Sequence, residues 1–152
     1  MKRYNAIISA CFFSVFFLAL SIYEGSNILD DPFDWERSTP FTQLLIADPS
    51  FPTDIVFLDY FVYAIKFYPF YPILALISGV MLFVLSLPII NRDKNTINIL
   101  LVLMGILGIS LSVSFFSAQS FGSAVYRYSF VIMGLFLTIY GGVSIARNRR
   151  TA

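Results

Sequence analysis

The stretch Tyr4–Tyr23, YNAIISACFFSVFFLALSIY, contains no Asp, Glu, Lys or Arg. A helix needs around 20 consecutive apolar residues to cross the hydrocarbon core of a bilayer. Backbone polar groups in lipid have to pair within the chain, so a helix is the form expected for such a segment. We therefore predict that this segment spans a membrane and is not cleaved, because no A-x-A-like cleavage site follows it. Cys11, inside the segment, is expected to serve in ordinary helix packing.

Three further segments share this lack of charge and this length: residues 68–90, 97–118 and 128–146. A long segment, 24–67, separates the first two spans and is the main region predicted outside the membrane. The sequence therefore predicts an all-α fold. It is a single domain, 1–152, built as a four-helix transmembrane bundle whose outer loop carries one or two short interfacial helices.

The composition also excludes several classes of function. The hydrophobic fraction is 58% and the charged fraction 12%, whereas charged residues make up about a quarter of soluble globular chains. The lipid bilayer is therefore the expected partner. A net charge of +1 offers no basic patch for nucleic acid. With no histidine and one cysteine, the chain cannot form an internal disulfide, a thiolate zinc site or a Cys–His pair, so we expect no enzyme and no cofactor.

Lysine and arginine are distributed unequally between the two sides of the predicted bundle. Outer positions hold Arg37, Lys66 and Arg127. The inner side holds the other seven: Lys2, Arg3, Arg92, Lys94, Arg147, Arg149 and Arg150. Because basic residues favour the cytoplasmic side, we predict that both termini are cytoplasmic.

The outer loop contains a helix start in the tetrad STPF. Ser38 or Thr39 suits the N-cap, and Pro40 suits the first helical position. We predict a short helix that ends near Ala47.

A second helix start, at Thr53–Asp54, opens the segment IVFLDYFVYAIKF. Asp59, Tyr63 and Lys66 recur there at helical spacing and form one polar face on an otherwise apolar helix. We predict that this helix lies along the outer membrane surface and that Pro69 and Pro72 mark the bend into the second span.

The stretch DDPFDWERSTPF, residues 30–41, concentrates carboxylates in a chain with few charges. Its acids are Asp30, Asp31, Asp34 and Glu36. The D-D-x-x-D string resembles the magnesium–diphosphate motif of prenyl-transferring enzymes, but Pro32 breaks the helix that this motif needs and no second motif follows. Two interpretations stay open: a weak surface for a divalent cation, and a solvated loop with Phe33 and Trp35 packed toward the interface. We favour the second.

Most of the nine tyrosines lie near the predicted outer boundary. They are Tyr23, Tyr60, Tyr63, Tyr68, Tyr71, Tyr126 and Tyr128. Tyrosine rings prefer this zone, where the ring contacts lipid and the hydroxyl contacts water. We expect an anchoring belt, and the alternative is a ligand pocket lined by these rings.

Small residues recur at three- and four-residue steps in every span. The candidates for helix packing are Ala10, Ser14, Gly79, Gly105, Gly108, Ser112, Gly134 and Gly141. Small side chains let helix backbones approach closely in lipid. We predict that they pack the bundle internally, while a spare stripe could bind another membrane protein or a second copy.

The spans lack ionisable residues, which argues against a coupled carrier or proton relay. The leading hypothesis is a non-enzymatic accessory or regulatory component of a membrane or envelope assembly. One alternative is a small permease or channel subunit that acts as an oligomer, with a polar path along Ser110, Ser114 and Ser117. Another is a cation or envelope-stress sensor that uses the acidic outer loop.

Two segments carry a resemblance to a known family: YEGSNILDDPFDWERSTPF, residues 23–41, and LDYFVYAIKFYPFYP, residues 58–72. Their loop pattern resembles the small, uncharacterised YjdJ-like membrane proteins of Gram-positive bacteria. The resemblance implies a location in the bacterial cytoplasmic membrane, and it assigns no functional residue.

Overall fold

The computed structural model describes residues 2–91, 93–116 and 120–151. Its helices are α1 (Lys2–Gly25), α2 (Trp35–Ser38), α3 (Pro40–Leu45), α4 (Phe57–Phe67), α5 (Phe70–Ile90), α6 (Lys94–Ser114) and α7 (Phe121–Thr151). Two 3-10 helices, Ser26–Asp30 and Pro32–Asp34, follow α1. Helices α1, α5, α6 and α7 are long and apolar enough to cross a membrane. The predicted all-α fold with four such helices is confirmed.

The ends of the long helices differ from the ends of the apolar runs. Helix α7 begins at Phe121 rather than at 128, so Arg127 lies within it. Helix α6 begins at Lys94 and ends at Ser114, although its span was predicted over 97–118; residues 117 and 118 lie outside the described residues, as does Arg92. These differences arise because helix ends depend on capping, while the apolar run reports only the part suited to lipid.

The four long helices form two pairs. Helix α1 packs along α5, and α6 packs along α7. The pairs make few contacts with each other, and these include a cluster built on Leu87, Leu101 and Leu137. Leu87 lies near the end of α5 and Leu101 lies in the first half of α6, so we call the side of the molecule where α5 ends and α6 begins the turn end. Both ends of the described chain also lie there, since Arg3 donates to the carbonyl oxygen of Leu85 at 2.9 Å and the Asn148 amide donates to Asn95 at 3.2 Å.

Residues 26–67 form a folded layer over the opposite end of the bundle, and we call this layer the cap. Its longest helix, α4, crosses the ends of α1 and α7 at two glycines. A Cβ added at Gly25 would overlap the backbone of Tyr60, and one added at Gly122 would lie 2.7 Å from the carbonyl oxygen of Lys66. The backbone of α4 therefore packs directly against the backbones of α1 and α7.

Two expectations about the loop are confirmed, and the polar face of its longest helix contacts protein. Helix α3 begins at Pro40 after Thr39, and α4 is separate from α5, which begins after Pro69. Helix α3 ends at Leu45, before Ala47. The polar face of α4 does not face water, because Asp59 and Tyr63 are buried against other parts of the cap.

Many apolar side chains on the four long helices are exposed, and Phe12, Ile132 and Phe136 are examples. Such a surface suits a hydrocarbon solvent. Cys11 belongs to this exposed surface, so its predicted role in helix packing is wrong.

Asp93 caps the first turn of α6 at the turn end. Its carboxylate accepts from the amides of Asn95 at 3.2 Å and Thr96 at 3.0 Å, and from the Thr96 hydroxyl at 2.5 Å. The hydrogen bond from the Thr96 side chain, followed by those from the two amides, holds the pKa of Asp93 below its ordinary value. This contribution to stability is complete above the ordinary aspartate pKa and disappears as the pH falls through the lowered pKa.

We therefore expect Thr96→Val to raise the pKa of Asp93 toward its ordinary value, because one hydrogen bond to the charged form is lost. Carbon-13 NMR titration of the Asp93 carboxyl in detergent measures the shift. The matched control is Thr53→Val, because the Thr53 hydroxyl donates to Ser50; it leaves the titration of Asp93 unchanged. An unaltered midpoint in Thr96→Val would contradict the cap.

Candidate functional site

Asp59 joins α4 to the first turn of α3. Its side chain is 0% exposed. Oδ1 accepts from the Phe41 amide at 2.9 Å, and Oδ2 accepts from the Thr42 amide at 2.8 Å and the Thr42 hydroxyl at 2.6 Å. The first amides of a helix have no partner within it, and a carboxylate also complements the positive end of the helix dipole. Asp59 therefore caps α3 from a different helix.

Two more side chains of α4 bind the acidic stretch. The Tyr63 hydroxyl donates to Asp31 at 2.9 Å, and the Lys66 ammonium contacts Asp34 at 2.5 Å and Ser38 at 3.0 Å. Burial, and then the hydrogen bond to the Asp31 carboxylate, raise the pKa of the Tyr63 phenol. The polar face of α4 thus holds residues 31–42 against the bundle.

The cap also has a small apolar core. Ile28, Ile55 and Tyr63 are buried together, and Trp35 and Phe51 pack against them. The indole N–H of Trp35 donates to the carbonyl oxygen of Ile28 at 2.7 Å. The cap is therefore a folded unit with its own core and its own polar network.

The acidic residues divide into two sets. Asp31 and Asp34 are partly buried and bind α4, whereas Asp30 and Glu36 are exposed. Within the described ranges, no group of three or more His, Cys, Asp or Glu side chains is placed to hold a metal ion. The loop is more than a solvated segment, because Asp31 and Asp34 bind α4, and Phe33 is 89% exposed. Trp35 does pack, but inside the cap.

The predicted helix-packing residues lie mainly where helices meet. Gly105 and Gly134 face each other across α6 and α7, with Gly108 next to them. On the other pair, the Ser14 hydroxyl donates to Ser78 at 3.2 Å, and a Cβ at Gly79 would lie 3.7 Å from the Ser14 oxygen.

The remaining members of this set follow the same pattern. A Cβ at Gly141 would lie 2.8 Å from the carbonyl oxygen of Asn98. Ala10 and Ser112 are buried on α1 and α6. Of the serines considered for a polar path, Ser110 and Ser114 are exposed on α6, and Ser117 lies outside the described residues.

A cleft of about 640 Å³ lies beneath α4, between the two helix pairs. Phe61 and Ile65 of α4 form its roof. Its other lining residues are Ser14, Leu18, Pro72, Ala75, Leu76, Gly79, Val80, Phe83, Met104, Phe115, Tyr126 and Phe130. Tyr126 is 4% exposed, and in the part of the chain that the structure describes its hydroxyl has no hydrogen-bond partner.

Sequence reasoning missed the importance of four residues. Gly25 and Gly122 are isolated glycines near helix ends, a signal that indicates close backbone approach. Asp59 is a carboxylate in an apolar helix, and such a residue needs a partner when buried. Tyr126 was grouped with the boundary tyrosines, although its ring lies inside the bundle.

Comparison with known proteins assigns the chain to a family. The profile of the family described as Domain of unknown function (DUF4306) matches residues 4–90, which is more than half of the chain. The chain belongs to this family. The family segment contains α1, the cap and α5, that is, one helix pair with its roof.

A relative supports the same assignment. "Uncharacterized protein YjdJ" of Bacillus subtilis (strain 168) is 38% identical over 66 residues, which cover 42% of this chain and 61% of the relative. The chain thus spans less than two thirds of the length of the relative it matches. The YjdJ-like resemblance is confirmed. No solved structure matches the chain significantly.

Proposed function

We propose that the protein is a non-enzymatic, multi-pass component of the bacterial cytoplasmic membrane that presents the cap to a larger envelope assembly. The observation that carries this proposal is a folded, hydrogen-bonded cap with exposed apolar side chains. Phe33 is 89% exposed, Leu44 80% and Leu45 65%. All three lie outside the four long helices.

Physical reasoning supports a docking role for these side chains. Exposed apolar groups outside the spans cost free energy in water, and clusters of them mark contacts with proteins or membranes. The Asp59 network fixes the chain that carries them. Binding of a partner would therefore cost little conformational entropy, because the surface is already ordered.

The charge distribution supports an outer position for the cap. Lys66 lies in the cap and Arg127 lies near it, whereas Arg3, Lys94 and Arg147 lie toward the turn end. Basic residues favour the cytoplasmic side, so the proposal puts the turn end and both termini in the cytoplasm.

A pulldown from mild detergent at native expression, followed by mass spectrometry, tests the docking role. We expect a stoichiometric membrane or envelope partner with the unaltered chain, and its loss when Phe33, Leu44 and Leu45 are all changed to Ser. The matched control is Ile90→Ser, because Ile90 is 77% exposed at the turn end; it keeps the partner. Recovery of the chain alone, or retention of the partner by the triple variant, would contradict the proposal.

A second candidate is an oligomeric permease or channel subunit, and one feature of α6 favours it. Ser110 and Ser114 are exposed one helical turn apart, and hydroxyls exposed to lipid commonly hydrogen-bond to another helix. Oxidative cross-linking of Ser114→Cys in a Cys11→Ser background tests this contact. A cross-linked pair is expected for an oligomer, while the control Ile132→Cys on α7, also exposed, stays monomeric.

A further inference from the structure

The cleft beneath α4 has the size and lining of a ligand site. Its volume of about 640 Å³ falls within the range of roughly 300–1,000 Å³ that is typical of such sites. Apart from Ser14 and Tyr126, apolar residues line it. An apolar lining offers water few partners, so the natural occupant is itself apolar.

The volume of the cleft distinguishes between two possible apolar occupants, a lipid chain and a protein helix. A transmembrane helix about 10 Å across and 30 Å long occupies roughly 2,400 Å³. The cleft holds about a quarter of that, so it cannot enclose a whole helix of a partner or of a second copy. A single flexible hydrocarbon chain is slim enough to enter between the two helix pairs, which contact each other sparsely.

Tyr126 places a hydroxyl group at the cap end of the cleft, and this hydroxyl lacks a hydrogen-bond acceptor among the described residues. It lies one helical turn after Gly122, which contacts α4. Helical side chains tilt toward the N-terminus, and for Tyr126 this direction is toward the roof. A buried hydroxyl without a hydrogen bond is costly, so the site favours an occupant that brings an acceptor to this depth.

We infer that the cleft binds one acyl chain of an ester-linked membrane lipid, and that the Tyr126 hydroxyl donates a hydrogen bond to the ester carbonyl of that lipid. Ester carbonyls lie between the headgroups and the hydrocarbon, which is where the cap end of a spanning bundle lies. From there the chain runs past Gly79 and Val80 toward the turn end. This site does not depend on the partner proposed for the cap.

Native mass spectrometry of the full chain tests the inference. The protein is reconstituted in nanodiscs made from equal amounts of a diester phosphatidylglycerol and its diether analogue with matched chain lengths, and retained lipid is counted after release. We expect one retained lipid, with a preference for the diester of about fivefold, the size expected of one neutral hydrogen bond. Tyr126→Phe retains both lipids equally, and Gly79→Leu retains neither.

Matched controls separate binding from folding. Tyr140→Phe alters an exposed tyrosine of the same helix, and Gly142→Leu adds the same bulk where a new Cβ meets nothing within 4 Å; both bind as the unaltered chain does. Ala75→Phe fills the cleft one turn from Gly79 and provides a second blocked variant. Delipidated Tyr126→Phe should unfold at no lower a temperature than the unaltered chain.

Three results would overturn the inference. Equal retention of the diester and the diether by the unaltered chain would contradict the hydrogen bond to the ester carbonyl. Retention of as much lipid by both blocked variants as by the unaltered chain would show that the lipid binds outside the cleft. Release of a lipid-free dimer would show that protein, not lipid, covers this surface.

Discussion

Replacing Gly105 with leucine is expected to separate α6 from α7 and to destabilise the bundle strongly. A Cβ at this position would lie 2.6 Å from the carbonyl oxygen of Gly134 and 2.7 Å from the amide nitrogen of Thr138. Both atoms belong to the backbone, so a rotamer change cannot relieve the overlap. Overpacking of this kind costs about 3 kcal/mol.

Unfolding of the purified variant in mixed micelles, as the fraction of SDS increases, measures the loss. The control is Gly142→Leu on the same helix pair, where an added Cβ meets nothing within 4 Å; its midpoint should match that of the unaltered chain. If Gly105→Leu unfolds at that same midpoint, then α6 and α7 do not pack through this glycine.

The second large effect is expected for Asp59→Ala, which removes the carboxylate that joins α4 to α3. The amides of Phe41 and Thr42 and the Thr42 hydroxyl would lose their acceptor. Buried donors without partners cost about 1–3 kcal/mol each, although water entering the opened cap offsets part of this. We expect the cap to lose about 3 kcal/mol of stability against local opening, by the same principle.

Trypsin cleavage after Arg37 reports this opening, because Arg37 lies within the cap. A loss of that size raises the fraction of open cap, and with it the cleavage rate, about a hundredfold. Asp48→Ala, at an exposed carboxylate of the same segment, should leave the rate unchanged. The account would be contradicted if Asp59→Ala resisted trypsin as well as the unaltered chain does.

The spans could be located from the sequence because length and apolar composition are local properties. The start of α3 at Pro40 and the break before α5 at Pro69 were also predictable, since proline acts on its own neighbourhood. Helix ends were harder to place. Helix α7 begins at Phe121 and includes Gly122 and Arg127. Hydropathy alone gives no reason to start the helix that early.

The cap could not be predicted, because its decisive contacts join distant residues. Asp59 binds amides 17 and 18 positions earlier, and Lys66 binds Asp34 across 32 positions. The spacing of Asp59, Tyr63 and Lys66 showed correctly that they share a face. Whether that face meets water or protein depends on where the acidic stretch folds, and periodicity carries no information about that.

The cleft depends on the arrangement of the two helix pairs, which no local pattern encodes. Tyr126 carries the same signal as the boundary tyrosines, yet it is 4% exposed, whereas Tyr23 and Tyr128 are 76% and 61% exposed. The small residues gave the positions of close approach, such as Gly105 and Gly134. The spacing of these small residues does not indicate which pairs of helices stay apart.

The central claim is that a folded cap covers the outer end of a four-span bundle, and cysteine labelling tests it most directly. In a Cys11→Ser background, single cysteines replace Leu44, which is exposed in the cap, Ala64, which is 0% exposed in α4, and Lys94, which lies at the turn end. A membrane-impermeant maleimide is applied to intact cells and then to permeabilised cells.

We predict that Leu44→Cys reacts in intact cells and that Lys94→Cys reacts only after permeabilisation. Ala64→Cys should stay protected in both until the protein is denatured. Reaction of Lys94→Cys in intact cells would reverse the orientation, and reaction of Ala64→Cys as fast as Leu44→Cys would show that the cap is not folded onto the bundle.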